Sequence, residues 1–234
     1  MRLNLIFSST KYLPPIKPRH EFKSQFGQDY YLEKMGLLVS NGFFVEVGCN
    51  HPIHNSNSHY LEKELGWTGV SIDGIDYGSK YKSERPNTIF INALVSNRED
   101  ELDFFRVKDR DGWENQVSSI HKETLQMGKG FEAEVVKMPS VPISKIKEIN
   151  RPIDLCLIDV EGHEFEVLQS IDFNNNAPSV LVIENNGQFY KRKSLVSFLK
   201  GKSYKHVARI GTADDIFVLQ DTMQIAKHTI VKRE

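Results

Sequence analysis

Phe43-Phe44-Val45-Glu46-Val47-Gly48-Cys49-Asn50 is a short apolar run closed by a glycine. It reads as a buried strand that ends in a tight loop, because glycine lets the backbone turn sharply and approach a ligand closely. Two later runs repeat the pattern. Ile153 to Asp159 and Ser179 to Glu184 are nearly all apolar and end in an acid. Strands without alternation are buried on both faces, as in a parallel sheet.

The stretches between them have helical spacing. Helices are predicted over Ser24 to Leu38, Asn57 to Leu65, Ser144 to Ile149, Glu164 to Ile171 and Leu195 to Lys200. Further strands are predicted over Gly69 to Asp73, Thr88 to Asn92, Glu101 to Val107 and Glu134 to Val141. Tyr204 to Ile210 and Ile216 to Leu219 read as a terminal hairpin. Alternating strand and helix imply a doubly wound α/β fold, with a parallel sheet covered on both faces and an antiparallel strand added by the hairpin.

The chain has 234 residues, which makes one large domain or two small ones. An N-terminal arm (1–22) contains Pro14, Pro15 and Pro18, which exclude a helix there. A domain spans 23–220, with a polar, glycine-containing stretch at 108–133, and a basic tail covers 221–234. The 30 Lys and Arg against 31 Asp and Glu leave a net charge of −1, which argues against binding nucleic acid through bulk basic charge. No apolar run approaches the ~20 residues of a membrane span. Met1 to Thr10 carries too short an apolar stretch for a secretory signal. The two cysteines, Cys49 and Cys156, lie in or beside predicted buried strands. That usage fits a reducing compartment, so a cytoplasmic location is expected. Nothing in the sequence sets an oligomeric state.

In open α/β sheets, ligands bind beyond the carboxyl ends of the strands, at the point where strand order reverses. The strands ending near Glu46 and Asp159 are therefore expected to be adjacent, parallel and central. The loop after Val47 holds one glycine, so it lacks the three-glycine dinucleotide fingerprint, and no phosphate-cradling P-loop motif occurs. An acid two residues before the glycine suits an ammonium group and repels a diphosphate. Asp73, at the end of the second strand, stands where an acid hydrogen-bonds a ribose diol. A nucleoside that lacks phosphates and carries an amino acid matches this pattern, and S-adenosylmethionine is such a molecule.

Phe43 to Asn50, Ser71 to Asp73, Asn92-Ala93 and Ile158-Asp159-Val160-Glu161-Gly162-His163-Glu164 resemble the FkbM-type methyltransferases. Ser24 to Asp29, Ser118-Ser119 and Asp214 to Val218 add to the resemblance, which runs from about residue 24 to 219. It implies a class I, Rossmann-like methyltransferase fold: a seven-stranded sheet whose last strand is antiparallel. It also implies S-adenosylmethionine as cofactor and a hydroxyl acceptor. By position, Glu46, Gly48 and Asn50 would line the methionine part, Asp73 would bind the ribose, Asn92 and Ala93 would lie near the adenine, and Asp159 would face the reacting centre. The chain departs from the pattern at Asn50 and Pro52, where class I loops often have glycine. It departs again at Asp73-Gly74, where many members have Glu-Pro.

Methyl transfer to a hydroxyl needs in-line alignment and removal of a proton. His163 has two readings: a general base, or a cap of the next helix. Glu161 and Glu164 read as acids that favour that helix's N-terminus. Asp159, Glu184 and Asn185 offer oxygen donors suited to Mg²⁺ or Mn²⁺, resembling catechol-type O-methyltransferases; the alternative is direct contact with cofactor and acceptor. The expected acceptor is a sugar or glycan-linked hydroxyl under residues 108–133, with Trp113 and Phe131 available to stack on a sugar face or, for Trp113, to anchor the loop. A peptide, lipid or small-metabolite acceptor and a non-catalytic scaffold are the rival readings. Acids at four strand ends count against the scaffold.

Overall fold

The computed structural model describes residues 9–108, 114–123, 132–185 and 189–221. Trp113, Phe131 and the tail beyond 221 lie outside them.

Five strands form the parallel centre of the main sheet: β2 (Phe43–Val47), β3 (Thr68–Asp73), β4 (Thr88–Asn92), β8 (Leu155–Ile158) and β9 (Val180–Glu184). Every residue of β2, β8 and β9 is buried, which is why these runs show no alternation. β2 and β8 are adjacent and parallel, with Val47 opposite Ile158, as expected for the strands that end near Glu46 and Asp159. β10 (Tyr204–Ile210) and β11 (Asp214–Leu219) form the hairpin, and β11 runs antiparallel to both β10 and β9.

Among the described residues the sheet has eight strands, not the expected seven. β1 (Lys11–Leu13), from the N-terminal arm, pairs in parallel with β10 at the far edge, giving the order β1-β10-β11-β9-β8-β2-β3-β4. Tyr31 Oη donates to the Pro14 carbonyl at 2.7 Å and helps hold the arm in place.

Helices cover both faces. α1 (Gln28–Lys34) and α2 (His59–Leu65) share one core with Phe44, Leu155, Leu157 and Val182. α4 (Glu164–Gln169) and α5 (Phe189–Gly201) share the other with Val45, Val47, Ile158 and Leu181. The predicted first helix is trimmed to α1 by left-handed glycines on either side, Gly27 at φ 87° and Gly36 at φ 65°. α3 (Gly78–Glu84) had no sequence signal, since Tyr81 is its one buried residue. The helix predicted at Ser144 to Ile149 is a single 3₁₀ turn, Ile143–Lys145, followed by extended Ile146.

A second sheet of β5 (Leu94–Val95), β6 (Asp100–Val107) and β7 (Ala133–Val141) projects from the end of β4. It packs Leu94, Phe104 and Met138 together beside the strand ends. No described helix is long and apolar enough to cross a membrane.

Candidate active site

A cavity of about 370 Å³ opens at the carboxyl ends of β2, β3, β8 and β9, within the usual range for a small-molecule site. Gly48 shapes it. Its φ of +77° is left-handed, and an added Cβ would lie 1.6 Å from the Asp159 carbonyl oxygen. The loops after β2 and β8 therefore touch through backbone, as only glycine permits.

Asp73 ties this loop to its neighbour. One carboxylate oxygen accepts the Asn50 N–H and the other the Ile75 N–H, both at 2.7 Å. Each oxygen keeps lone-pair capacity toward the cavity. Ile75, Leu94 and Phe104 make an apolar wall beside Asp73.

Of the residues expected from sequence, Gly48, Asn50, Asp73, Ala93, Asp159, His163 and Glu184 line the cavity, whereas Glu46, Asn92 and Asn185 do not. Glu46 is 2% exposed and faces the α2 side of the sheet. Its Oε2 accepts Ser58 Oγ at 2.6 Å and Ser71 Oγ at 3.3 Å. Successive strand residues alternate faces, so Glu46 follows Phe44 away from Val45 and Val47. The exposed Asn92 side chain turns back to donate to the Asp73 carbonyl at 2.9 Å. Asn185 donates its amide to Asp215, which also accepts Arg192 Nε at 3.0 Å.

Glu161 takes the place expected for Asn185. Carboxylate oxygens of Asp159, Glu161 and Glu184 all lie within 4.8 Å of one another. Glu161 has φ +51° and Gly162 φ +110°, so a left-handed turn swings Glu161 toward the cluster. Glu164 does support the helix start, its carboxylate accepting the Gly162 N–H at 2.8 Å. Asp214, Gln28 and Ser119 also escaped site assignment from sequence. Asp214 lies opposite Glu184 in the ladder, and Gln28 Nε2 donates to it at 2.9 Å. Ser119 Oγ donates to the Glu161 carbonyl at 2.9 Å and brings Gln116 to Ile120 over the cavity. The only earlier sign of these was their place in the FkbM-like motifs.

His163 stands at the N-cap of α4, yet its ring makes no capping bond. Nε2 lies 3.1 Å from Ser96 Oγ, and Nδ1 lies 3.4 Å from a Glu166 oxygen.

Burial makes the acids around the site reluctant to ionise. It pushes Glu46 up to about 7, Asp73 up to about 6, and Asp214 up to about 8, the last with help from nearby Asp159. Burial and then Asp159 push Glu161 up to about 8. Native acids with raised pKa hold protons that the unfolded chain has already released, so stability falls as pH rises between the two values. The ordinary values are 3.8 for Asp and 4.5 for Glu. The thermal midpoint of the ligand-free chain is therefore expected to fall from about pH 5 to about pH 8. A midpoint that climbs across that interval contradicts these assignments.

The sheet and the position of the cavity define a doubly wound α/β protein with a cavity at the strand ends. The model of the Methyltransferase FkbM domain matches residues 46–210, well over half the chain. The chain belongs to the FkbM methyltransferase family, whose methyl donor is S-adenosylmethionine. Comparison with curated proteins gives no match. Among solved structures, a putative ribosomal RNA methyltransferase from Plasmodium falciparum aligns over 82% of this chain and 94% of its own, at 15% identity and a TM-score of 0.38.

Proposed function

We propose that this methyltransferase methylates a hydroxyl of a sugar or glycan-linked acceptor. The observation that carries this reading is the lining of the cavity. Among its described residues are four carboxylates, Asp73, Asp159, Glu161 and Glu184, and no Lys or Arg. A cationic sulfonium with an ammonium group favours the ionised form of these acids, which burial alone opposes, whereas phosphates would be repelled by it. Its other polar side chains include Gln25, Asn55, Asn57, Gln116 and Ser118, neutral groups that both donate and accept, as a hydroxyl-rich acceptor requires. Both cysteines are free and buried, which supports the cytoplasmic reading.

The cofactor fits this lining. Gly48 and Asn50 would hold its methionine part, Asp73 its ribose, and Ala93 with Ile75, Leu94 and Phe104 its adenine. Glu46 would act from below through the loop that it supports. When bound, S-adenosylmethionine supplies a methyl group activated on a sulfonium. Asp159 faces the acceptor side. His163 is the proposed base: Glu166 beside Nδ1 is placed to stabilise the imidazolium, and Nε2 would exchange its contact with Ser96 Oγ for the acceptor hydroxyl whose proton it takes.

Incubation with labelled S-adenosylmethionine and a panel of glycosides tests the acceptor. An alkali-stable methyl ether on a sugar is expected; methyl esters, or label in peptide or lipid alone, contradict the reading. Asp73→Ala is expected to weaken cofactor binding about 30-fold, or ~2 kcal/mol, through loss of hydrogen bonds to a charged acceptor. Calorimetry checks this, and unchanged affinity removes the ribose assignment.

A further inference from the structure

Asp159 and Glu184 end neighbouring strands, and Glu161 comes from the left-handed turn that follows β8. Their carboxylate oxygens lie within 4.8 Å of one another. Oxygens on opposite sides of one ion are separated by about 4.2 Å for Mg²⁺ and about 4.8 Å for Ca²⁺, so a single cation reaches all three with small adjustments. The second observation is Glu184 itself. It is 7% exposed, its carboxyl group hydrogen-bonds that of Asp159, and its Oε2 takes no donor from any other group. Two buried acids held against each other share a proton at best, and a divalent cation would take that proton's place. Asp214 lies opposite Glu184 in the ladder and is a further buried acid behind it.

We propose that Asp159, Glu161 and Glu184 bind one divalent cation of the Mg²⁺ or Mn²⁺ class at the acceptor end of the cavity. The proposal rests on the methyltransferase reading for its purpose: an all-oxygen set of three leaves about three positions for water and acceptor hydroxyls. Hard carboxylate, hydroxyl and water ligands suit these ions. Asn185, the ligand expected from sequence, is not in the set, because its amide serves Asp215.

Mn²⁺ titration of the full chain, followed by electron paramagnetic resonance, tests the site. One Mn²⁺ per chain is expected, displaced by Mg²⁺, with at least about tenfold weaker binding in Glu161→Gln and in Glu184→Gln. Glu161 is the more exposed of the two and the gentler substitution for the fold. If either variant fails to fold, wild-type stoichiometry and Mg²⁺ competition still decide. No bound Mn²⁺ at about 1 mM overturns the site, as does equal binding by wild type and both folded variants. Calorimetry with S-adenosylmethionine in EDTA runs in parallel. Cofactor binding without Mn²⁺ binding removes the metal alone; loss of both removes the methyltransferase reading as well.

Discussion

Gly48→Ala is expected to abolish cofactor binding and to destabilise the chain by about 3 kcal/mol or more. The new Cβ would lie 1.6 Å from the Asp159 carbonyl oxygen and 2.7 Å from its carbon. Neither atom belongs to a movable side chain. Gly48 N–H donates to the Ile72 carbonyl at 2.9 Å, and Asp159 N–H donates to the Val47 carbonyl at 3.0 Å. Relief therefore means parting β2 from β8 or β3 at the mouth of the cavity. The left-handed φ of +77° adds strain for any residue with a side chain. Denaturant unfolding and calorimetry check the two halves of this result. A variant with wild-type midpoint and wild-type affinity contradicts the close approach.

Arg85→Leu is expected to cost about 3–5 kcal/mol, because it strands a buried charge. Arg85 is 0% exposed. Nε donates to Glu62 at 2.8 Å, Nη1 to the Pro52 carbonyl at 3.1 Å, and Nη2 to the Ser58 carbonyl and hydroxyl, each at 3.0 Å. Glu62 is equally enclosed and also accepts the Thr88 hydroxyl. The guanidinium thus fastens the 52–58 loop, which carries Asn55 and Asn57 into the cavity. Through Ser58 it also reaches Glu46. The Arg85→Leu/Glu62→Leu double variant is expected to recover part of the loss, since no lone charge remains buried. Chemical denaturation of both variants decides. A double variant less stable than the Arg85→Leu variant contradicts the ion-pair account.

The strands at 43–48, 153–159 and 179–184 were legible because burial on both faces leaves an unbroken apolar run that only a sheet centre explains. Their acidic ends were legible because the change from apolar to acid is abrupt. The direction of each terminal side chain was not. Glu46 and Asn185 sit beside cavity residues in sequence, yet pleat parity and the neighbouring Asp215 turn them elsewhere. Arg85 carries no apolar pattern and shows its role only when Glu62, Ser58 and Pro52 converge on it. Gln28 and Asp214 are 186 residues apart, so their hydrogen bond follows from the completed sheet rather than from local spacing. β1 is three residues among prolines and finds its partner only once β10 exists.

The central claim is that the acidic cavity at the strand ends binds S-adenosylmethionine. Calorimetric titration of the full chain tests it most directly, with ATP as the comparison ligand of the same adenosine but opposite charge. With EDTA present to keep divalent ions out, the account predicts one site for S-adenosylmethionine, weakened in Asp73→Ala, and no saturable binding of ATP. Saturable binding of ATP with none of S-adenosylmethionine would contradict it.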